Sequence, residues 1–155
     1  MGRSEQRLVR RTIDATVQEC VDVAVDIASY PKWAEGVREA EITAMGPDGL
    51  VKRAHVLAAA FGRAVSYELE YNTDHLPHSF SWKLVRGDIV RTISGSYRFA
   101  PSLDEPDQTE VIYQLEVELV IPVPGFVRRR AEDLLMSTAL ERFSAEVSRR
   151  ARMGA

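Results

Sequence analysis

Four stretches of this chain alternate between apolar and polar residues, and this period of two constrains the fold more than any other feature. In residues 63–71 and 109–121, valine, tyrosine and leucine occupy one parity, whereas mostly serine, glutamine and glutamate occupy the other. Residues 79–85 and 88–100 repeat the pattern with phenylalanine, tryptophan, isoleucine and tyrosine. Successive side chains of a strand point to opposite faces of a sheet. The pattern therefore predicts an antiparallel sheet with one covered face and one wet face.

Three more strands and one long helix complete the predicted fold. Residues 7–14, 37–45 and 50–61 have strand patterns, and 46–49 is a turn with proline at its second position. Residues 125–150 carry an apolar stripe at helical spacing. At ~1.5 Å per residue this helix is roughly 38 Å long, enough to cover the sheet. The prediction is an α+β fold in which a curved, seven-stranded antiparallel sheet wraps around a C-terminal helix, with the first strand at an edge.

Two short helices are predicted between the first and second strands. Thr16 followed by Glu19 fits a capping box, so a helix starts there, and Pro31 ends it. A second helical turn begins at Pro31 and closes at Gly36. The large aromatic residue Trp33 lies on this short turn. We expect it either to form a lip over the mouth of a cavity or to fill the core beneath the two helices.

The composition sets limits on what the chain does. It has 155 residues, which suggests one domain over 1–155, with a structured core at about 7–148. The net charge of −3 does not favour nucleic acid as a partner. Cys20 is the single cysteine, so a disulfide framework is excluded, and its place on the apolar helix face predicts a small buried side chain. No apolar run approaches ~20 residues and the N-terminal segment lacks the apolar middle of a secretory signal, so we expect a cytoplasmic protein.

Three stretches resemble one known family. They are DIASYPKWAEGV (26–37), SWKLVRGDIVRTISGSYRF (81–99) and the segment from TEVIYQLEVELV (109) to ALERF (143). Together they resemble the START-like polyketide cyclase/dehydrase and lipid-transport proteins, the SRPBCC or helix-grip superfamily that includes the birch pollen allergen. The resemblance covers about residues 7–148. It implies a sheet that grips the C-terminal helix around a hydrophobic cavity, with activities from carriage of lipids, sterols or quinones to ring closure of polyketides.

The residues themselves also favour a cavity. Long antiparallel sheets curl, so a straight helix in the concave face leaves space toward its ends. Gly95 and the small residues of 57–61 remove side chains from that face, and we expect an apolar cavity of roughly 300–1,000 Å³. The leading hypothesis is binding or transport of a hydrophobic small molecule such as a lipid, quinone or polyketide. The predicted ligand-binding residues are Trp33, Val56, Tyr67, Leu69, Phe80, Trp82, Tyr97, Tyr113, Leu115, Leu134 and Thr138.

Two alternatives stay open. The first is a polyketide cyclase or dehydrase that uses polar cavity groups as acids or bases. Its weak candidates are Tyr67, Tyr97, Tyr113, Arg91 and His55, and none is assigned as catalytic. Arg91 could point inward by parity, although a strand-end position in water is favoured, and His55 is expected to face solvent. The second alternative is a module that binds a protein partner and has a filled core.

Two groups of charged or metal-binding residues need an interpretation. His75 and His78 flank Pro77 without a third ligand, so this segment is predicted to be a loop. No metal and no cofactor are predicted, and the oligomeric state is left open. Arg128, Arg129 and Arg130 stand in the first turn of the closing helix, where cations oppose the helix dipole. They are interpreted either as a solvated group offset by the following acids or as a transient contact with an anionic membrane surface.

Overall fold

The computed structural model describes residues 6–60 and 62–153, which form one seven-stranded antiparallel sheet and a long helix. The strands follow the order β1-β7-β6-β5-β4-β3-β2. The elements in chain order are β1 (Gln6–Ile13), α1 (Val17–Val25), a 3₁₀ helix (Ile27–Lys32), β2 (Val37–Met45), β3 (Val51–Ala60), β4 (Arg63–Asn72), β5 (Ser79–Gly87), β6 (Val90–Pro101), β7 (Thr109–Leu119) and α2 (Gly125–Met153). This is the helix-grip arrangement expected from the sequence, and the fold prediction is confirmed.

The pairing of the strands gives the molecule an open end and a closed end. β1 pairs with β7, with Arg7 opposite Leu115, and closes one edge of the meander. Because every pair is antiparallel, one end of the sheet brings together several connections. These are the starts of β1 and β2, the β3–β4 and β5–β6 turns, the end of β7 and the start of α2. We call this the open end. The closed end carries α1 and the C-terminal half of α2.

The closed end contains many of the most deeply buried side chains of the core. Phe143 and Val147 of α2 are fully buried there, as is Ile13 at the end of β1. Glu146 of α2 accepts hydrogen bonds from two arginines, and Arg150 also reaches Asp26 after α1, with Nη2 2.9 Å from Oδ2. Packing and the Arg150–Asp26 ion pair therefore hold the end of α1 against the last turns of α2.

The first helix starts where the sequence predicts and ends earlier. Thr16 and Glu19 form the complete capping box, with Thr16 N–H donating to Glu19 Oε1 at 2.9 Å. The α-helix ends at Val25, and the following 3₁₀ helix contains Pro31 within it, so the predicted boundary at Pro31 was wrong. Because a 3₁₀ helix has three residues per turn, the apolar face shifts. Ile27 is buried and Ala28 is exposed.

Cys20 lies on the buried face of α1, as predicted. Its side chain is fully buried, and burial raises the pKa of the thiol to about 11. A thiol with so high a pKa is almost entirely protonated at neutral pH, and its thiolate is the nucleophilic form. Cys20 therefore has the packing role that the sequence assigns to it.

A bulge near the start of β6 breaks the strand parity assumed from the sequence. The register to β7 shifts between Val90 and Thr92, so Val90 and Ile93 both point into the concave face. Arg91 between them points outward and pairs with Glu118, with Nη1 3.1 Å from Oε1. The inward option considered for Arg91 is thus excluded, and the expectation that it reaches water is confirmed. The cause is a local irregularity of the strand.

Candidate functional site

A pocket of about 350 Å³ lies between the concave face of the sheet and the first half of α2, near the open end. Its volume falls near the lower end of the range for small-molecule sites. Most of its walls are apolar. The wall residues from the sheet and the 3₁₀ segment are Arg7, Ile27, Tyr30, Trp33, Ala34, Glu35, Gly36, Val37, Ala40, Val56, Ala58, Ala59, Ala60, Val65, Tyr67, Leu69, Tyr71, Trp82, Val90, Ile93, Tyr97, Tyr113, Leu115, Val117 and Leu119. The wall from α2 consists of Ala131, Glu132, Leu134, Leu135, Met136 and Ala139.

All five tyrosines of the chain line this pocket, and they supply most of its internal polarity. They are Tyr30, Tyr67, Tyr71, Tyr97 and Tyr113. Burial raises the pKa of Tyr67 to about 12 and raises the pKa values of the other four as well. Each therefore stays a neutral phenol at physiological pH. The Tyr30 hydroxyl already donates to the carbonyl of Ala24. The other phenols can donate hydrogen bonds to a ligand oxygen, but none of the five supplies a phenolate base.

Trp33 packs between the 3₁₀ helix and α2 and also lines the pocket. Its ring centroid lies 4.7 Å from that of Tyr30 and 5.8 Å from that of Phe143. The core-filling role is confirmed, since the indole is buried, and the indole also forms part of the pocket wall. A role as a lip over the mouth stays a prediction. Its Nε1–H is buried and has no hydrogen-bond partner within 6–60 and 62–153. A buried donor without a partner costs about 1–3 kcal/mol.

Small side chains provide much of the pocket's space. Ala58, Ala59 and Ala60 come from β3, and Ala139 faces them from α2. This agrees with the expectation that the small residues of 57–61 leave space on the concave face. Gly95, however, leaves no gap, because the indole of Trp82 already fills its place. A Cβ on Gly95 would lie 2.4 Å from Cζ2 of Trp82.

Nine of the eleven predicted ligand-binding residues line the pocket, and two do not. Phe80 is fully buried at the start of β5, where its ring stacks on Tyr71 with centroids 5.4 Å apart. It lies toward the closed end, beyond the pocket. Thr138 turns its hydroxyl back to the helix and donates to the carbonyl of Leu134 at 2.8 Å. The helix presents Leu135 and Ala139 to the pocket instead.

The weak catalytic candidates separate into two groups. Tyr67, Tyr97 and Tyr113 line the pocket together, with the Tyr97 and Tyr113 rings 5.1 Å apart. His55 lies on the outer face of the sheet as expected, with Nε2 2.6 Å from Ser66 Oγ, and Arg91 is also outside. His75 and His78 are exposed in a loop, and no group of three or more possible metal-ligating residues is found in the described part of the chain.

Charged side chains lie at the mouth of the pocket, where they pair with one another. Arg7 binds Glu132 at 3.3 Å and also Asp133, and Arg128 lies 3.7 Å from Glu132. Farther along α2, Glu35 of the pocket wall pairs with Arg142 at 2.7 Å. The carboxylates nearest to the pocket are thus neutralised by arginines, and the depth of the pocket is lined by neutral groups.

Several pocket residues were not predicted from the sequence, for identifiable reasons. Tyr71 shares the inward parity of β4 and could have been included from the pattern alone. Tyr30 lies in the 3₁₀ helix, where neither a period of two nor one of 3.6 applies. There the Tyr-Pro pair is the only local signal. The hydroxyl of Tyr30 donates to the carbonyl of Ala24 at 2.6 Å, a contact between two helices that no pattern indicates.

Comparison with known proteins identifies the family and the fold of the chain. The family model described as polyketide cyclase / dehydrase and lipid transport matches residues 7–151. A START superfamily protein from Mycobacterium smegmatis superposes with a TM-score of 0.82 at 17% identity, over 93% of this chain and 97% of that one. The Zhui aromatase/cyclase from Streptomyces sp. R1128 has a TM-score of 0.80 at 14% identity over 99% of both chains. A protein from Thermus thermophilus has a TM-score of 0.73 at 22% identity, over 92% of this chain and 97% of that one. At these identities the structures establish the fold alone.

Two further observations bear on the kind of protein. No sequence among the curated proteins matches this chain. Within the described residues, none of the helices has the length and apolar character required to cross a bilayer.

Proposed function

The chain belongs to the polyketide cyclase/dehydrase and lipid transport family, and from this premise we propose that it binds an uncharged hydrophobic small molecule in the pocket beneath α2. The observation that carries the proposal is the pocket itself, about 350 Å³ with apolar walls and five neutral phenols. Burying apolar ligand surface contributes near 25 cal/mol per Å², before the costs of association. The phenols orient a ligand that carries carbonyl or ether oxygens. A quinone, a polyketide-like ring system or a compact lipid has this chemistry.

The charge distribution argues for a neutral ligand. The inner walls are mostly apolar or phenolic, and the ionised groups that line the pocket, Arg7, Glu35 and Glu132, are paired with opposite charges. A charged group buried without a partner would lose several kcal/mol of hydration. A ligand whose acceptor oxygens meet the tyrosines, and whose apolar body meets Val56 and Leu135, avoids this cost.

A polyketide cyclase or dehydrase is the second candidate, and the cluster of Tyr67, Tyr97 and Tyr113 favours it. Phenol hydroxyls can polarise a substrate carbonyl and donate a proton. The step also needs a base, and the raised pKa values of the tyrosines make them unsuitable. Glu35 and Glu132 are the nearest carboxylates, and both are paired with arginines. Binding without chemistry is therefore the better-supported function. The third alternative, a partner-binding module, required a filled core, and the open pocket argues against it.

The test uses the two tryptophans of the chain, which both line the pocket. We expect Nile red, an uncharged apolar dye, to bind with a change in tryptophan fluorescence. Native mass spectrometry of the protein purified from cells should also reveal a co-purified hydrophobic molecule. Replacing Ala139 with Phe fills the pocket from α2 and should abolish both signals. Ala145→Phe is the matched control, because Ala145 is exposed on the same helix.

Three outcomes would decide the matter. Equal dye binding by the Ala139→Phe and Ala145→Phe variants would overturn the pocket as the binding site, provided that both unfold at similar temperatures. Turnover of a poly-β-ketone mimic that is lost in Tyr→Phe variants would favour the enzyme. A protein that binds no dye and carries no molecule would leave neither function supported.

A further inference from the structure

The open end of the molecule combines exposed apolar side chains with unpaired arginines beside the pocket mouth. Val120, Phe126 and Leu134 are 50%, 67% and 54% exposed. Phe126, Arg130 and Leu134 follow at intervals of four residues and so lie along one face of the first turns of α2. Arg129 stands next to this face. We call these five residues the rim.

Backbone hydrogen bonds hold the segment that carries the rim against the rest of the domain. The N–H of Val120 donates to the carbonyl of Ile89 at 2.9 Å, which ties the start of the loop to the β5–β6 turn. Pro124 accepts hydrogen bonds from Val127 and Arg128 at 3.0 Å and so begins the helix. Phe126 is therefore held on the surface by its backbone, on a turn whose ends are anchored. Leu134 also lines the pocket, so the rim is continuous with the mouth.

Two of the three consecutive arginines are available for a partner. Arg128 lies 3.7 Å from Glu132, and Arg7 occupies Glu132 and Asp133 from the other side. Neither Arg129 nor Arg130 pairs with a carboxylate in the part of the chain that the structure describes. The acids beside the arginines are thus used by Arg7 and Arg128. The interpretation in which Glu132 and Asp133 offset all three arginines does not apply.

The local charge contrasts with that of the whole chain. The segment 120–134 holds three arginines and two acids, and Arg7 beside it brings the local charge to +2, whereas the whole chain carries −3. A basic patch with an exposed aromatic residue is complementary to a partner surface that has anionic groups on the outside and an apolar layer directly below them. A bilayer containing anionic lipid has both properties. An acidic protein surface would match the arginines but not the exposed phenylalanine and leucine.

We propose that the rim docks the domain onto an anionic lipid bilayer, with Phe126 and Leu134 entering the interface and Arg129 and Arg130 contacting lipid phosphates. Docking in this orientation turns the pocket mouth toward the membrane. A hydrophobic ligand could then pass between bilayer and pocket with little exposure to water. The docking itself does not depend on the proposed function, because it is measured without any ligand.

The test is co-sedimentation with large vesicles of phosphatidylcholine alone or with about one third phosphatidylglycerol. We expect the wild-type protein to bind the anionic vesicles, with an affinity that falls as salt rises. Each basic residue at an anionic surface contributes roughly fivefold in affinity. The Arg129→Gln/Arg130→Gln variant should therefore bind about 10- to 30-fold more weakly. Phe126→Ser should weaken binding and leave its salt dependence in place.

Matched controls come from the other end of the sheet. Arg11 and Arg98 are exposed and stand opposite Val111 and Ile112 on β7, so Arg11→Gln/Arg98→Gln makes the same charge change away from the rim. Leu103 is fully exposed in the β6–β7 loop, and Leu103→Ser is the control for Phe126→Ser. The proposal is overturned if wild-type protein binds neither vesicle, or if rim and control variants lose affinity equally. Thermal unfolding of each variant verifies that it is folded.

Discussion

Gly36 and Ala59 meet backbone to backbone at the edge of the pocket. The N–H of Ala59 donates to the carbonyl of Gly36 at 2.8 Å, and a Cβ on Gly36 would lie 2.9 Å from the carbonyl oxygen of Ala59. Gly36 has φ +76°, a left-handed conformation that favours glycine. This contact ties the turn that carries Trp33 to the end of β3. It explains how a short interruption between helix and strand can hold a large aromatic side chain in a fixed place.

Gly36→Ala should therefore destabilise the protein more than an alanine at another left-handed glycine. Gly49 has φ +80°, and a Cβ on it would have no heavy atom within 4 Å. Gly49→Ala therefore measures only the cost of placing alanine in a left-handed conformation. We expect about 1 kcal/mol for Gly49→Ala and about 1–3 kcal/mol more for Gly36→Ala, because a backbone oxygen cannot move aside cheaply. Urea unfolding with both variants measures the difference. Equal losses would show that the close approach to Ala59 has no energetic weight.

The indole of Trp82 occupies the space opposite Gly95, and this predicts an overpacking effect. Gly95→Ala places a methyl group within 2.4 Å of the indole, so the ring must shift or the strands must part. We expect a loss of about 1–3 kcal/mol in the free energy of unfolding, together with a changed tryptophan fluorescence spectrum. Ala100→Val is the control, an exposed enlargement on the same strand. Combining Gly95→Ala with Trp82→Leu should recover part of the loss, and a strictly additive double variant would contradict the contact.

Glu146 accepts hydrogen bonds from Arg149 and Arg150 near the end of α2, and its stabilising effect should depend on pH. Hydrogen bonds from Arg149, opposed by burial but reinforced by Arg150, lower the pKa of Glu146 to about 2. A lowered pKa stabilises the fold above the unfolded value of about 4.5, and the contribution is lost as the pH falls from about 4.5 toward 2. Glu146→Gln should therefore cost about 1–3 kcal/mol at pH 7 and much less at pH 3. Urea unfolding at the two pH values measures this, and an equal loss at both would exclude the ionic origin.

The sequence was most informative where a strict period applied. On β7 the parity of Tyr113 and Leu115 correctly placed both side chains on the concave face, and the alternation on β4 did the same for Tyr67 and Leu69. The α2 stripe predicted a covering helix, and Leu134 at its edge reached the pocket as expected. The face on which each of these residues lies can be predicted from periodicity, because a one-residue shift of the strand would move its apolar side chains to the solvent face.

The rest of the site depends on geometry that periodicity does not contain. The bulge at Val90 could not be read from the sequence, since Ile89 and Val90 are both apolar and either could point inward. The filling of the Gly95 gap by Trp82 depends on which residues stand opposite each other across β5 and β6. Parity gives the face of a residue but not its cross-strand partner. Thr138 was wrongly predicted to line the pocket for a similar reason, because its hydroxyl donates to a carbonyl of its own helix.

The tyrosine cluster gives a spectroscopic prediction about the whole pocket. All five tyrosines line it, so no exposed tyrosine masks their titration. Burial raises each pKa above the usual value of about 10, to about 12 for Tyr67. We expect almost no tyrosinate absorption at 295 nm in the folded protein at pH 10, although the same protein in concentrated urea should be about half ionised there.

The sign of the effect on stability follows from the same shifts. A folded-state pKa above the unfolded value means that the unfolded chain releases protons first as the pH rises, so stability is full below about pH 10 and falls above it. Above pH 10 the free energy of unfolding should fall by about 1.4 kcal/mol per pH unit for each buried tyrosine. Tyr67→Phe removes one titrating group and should reduce this slope by about 1.4 kcal/mol per pH unit. Alkaline unfolding followed by circular dichroism and by absorption at 295 nm should therefore coincide. Tyrosinate signal at pH 8–9 in the folded protein would contradict the buried cluster and would restore a phenolate base to the cyclase alternative.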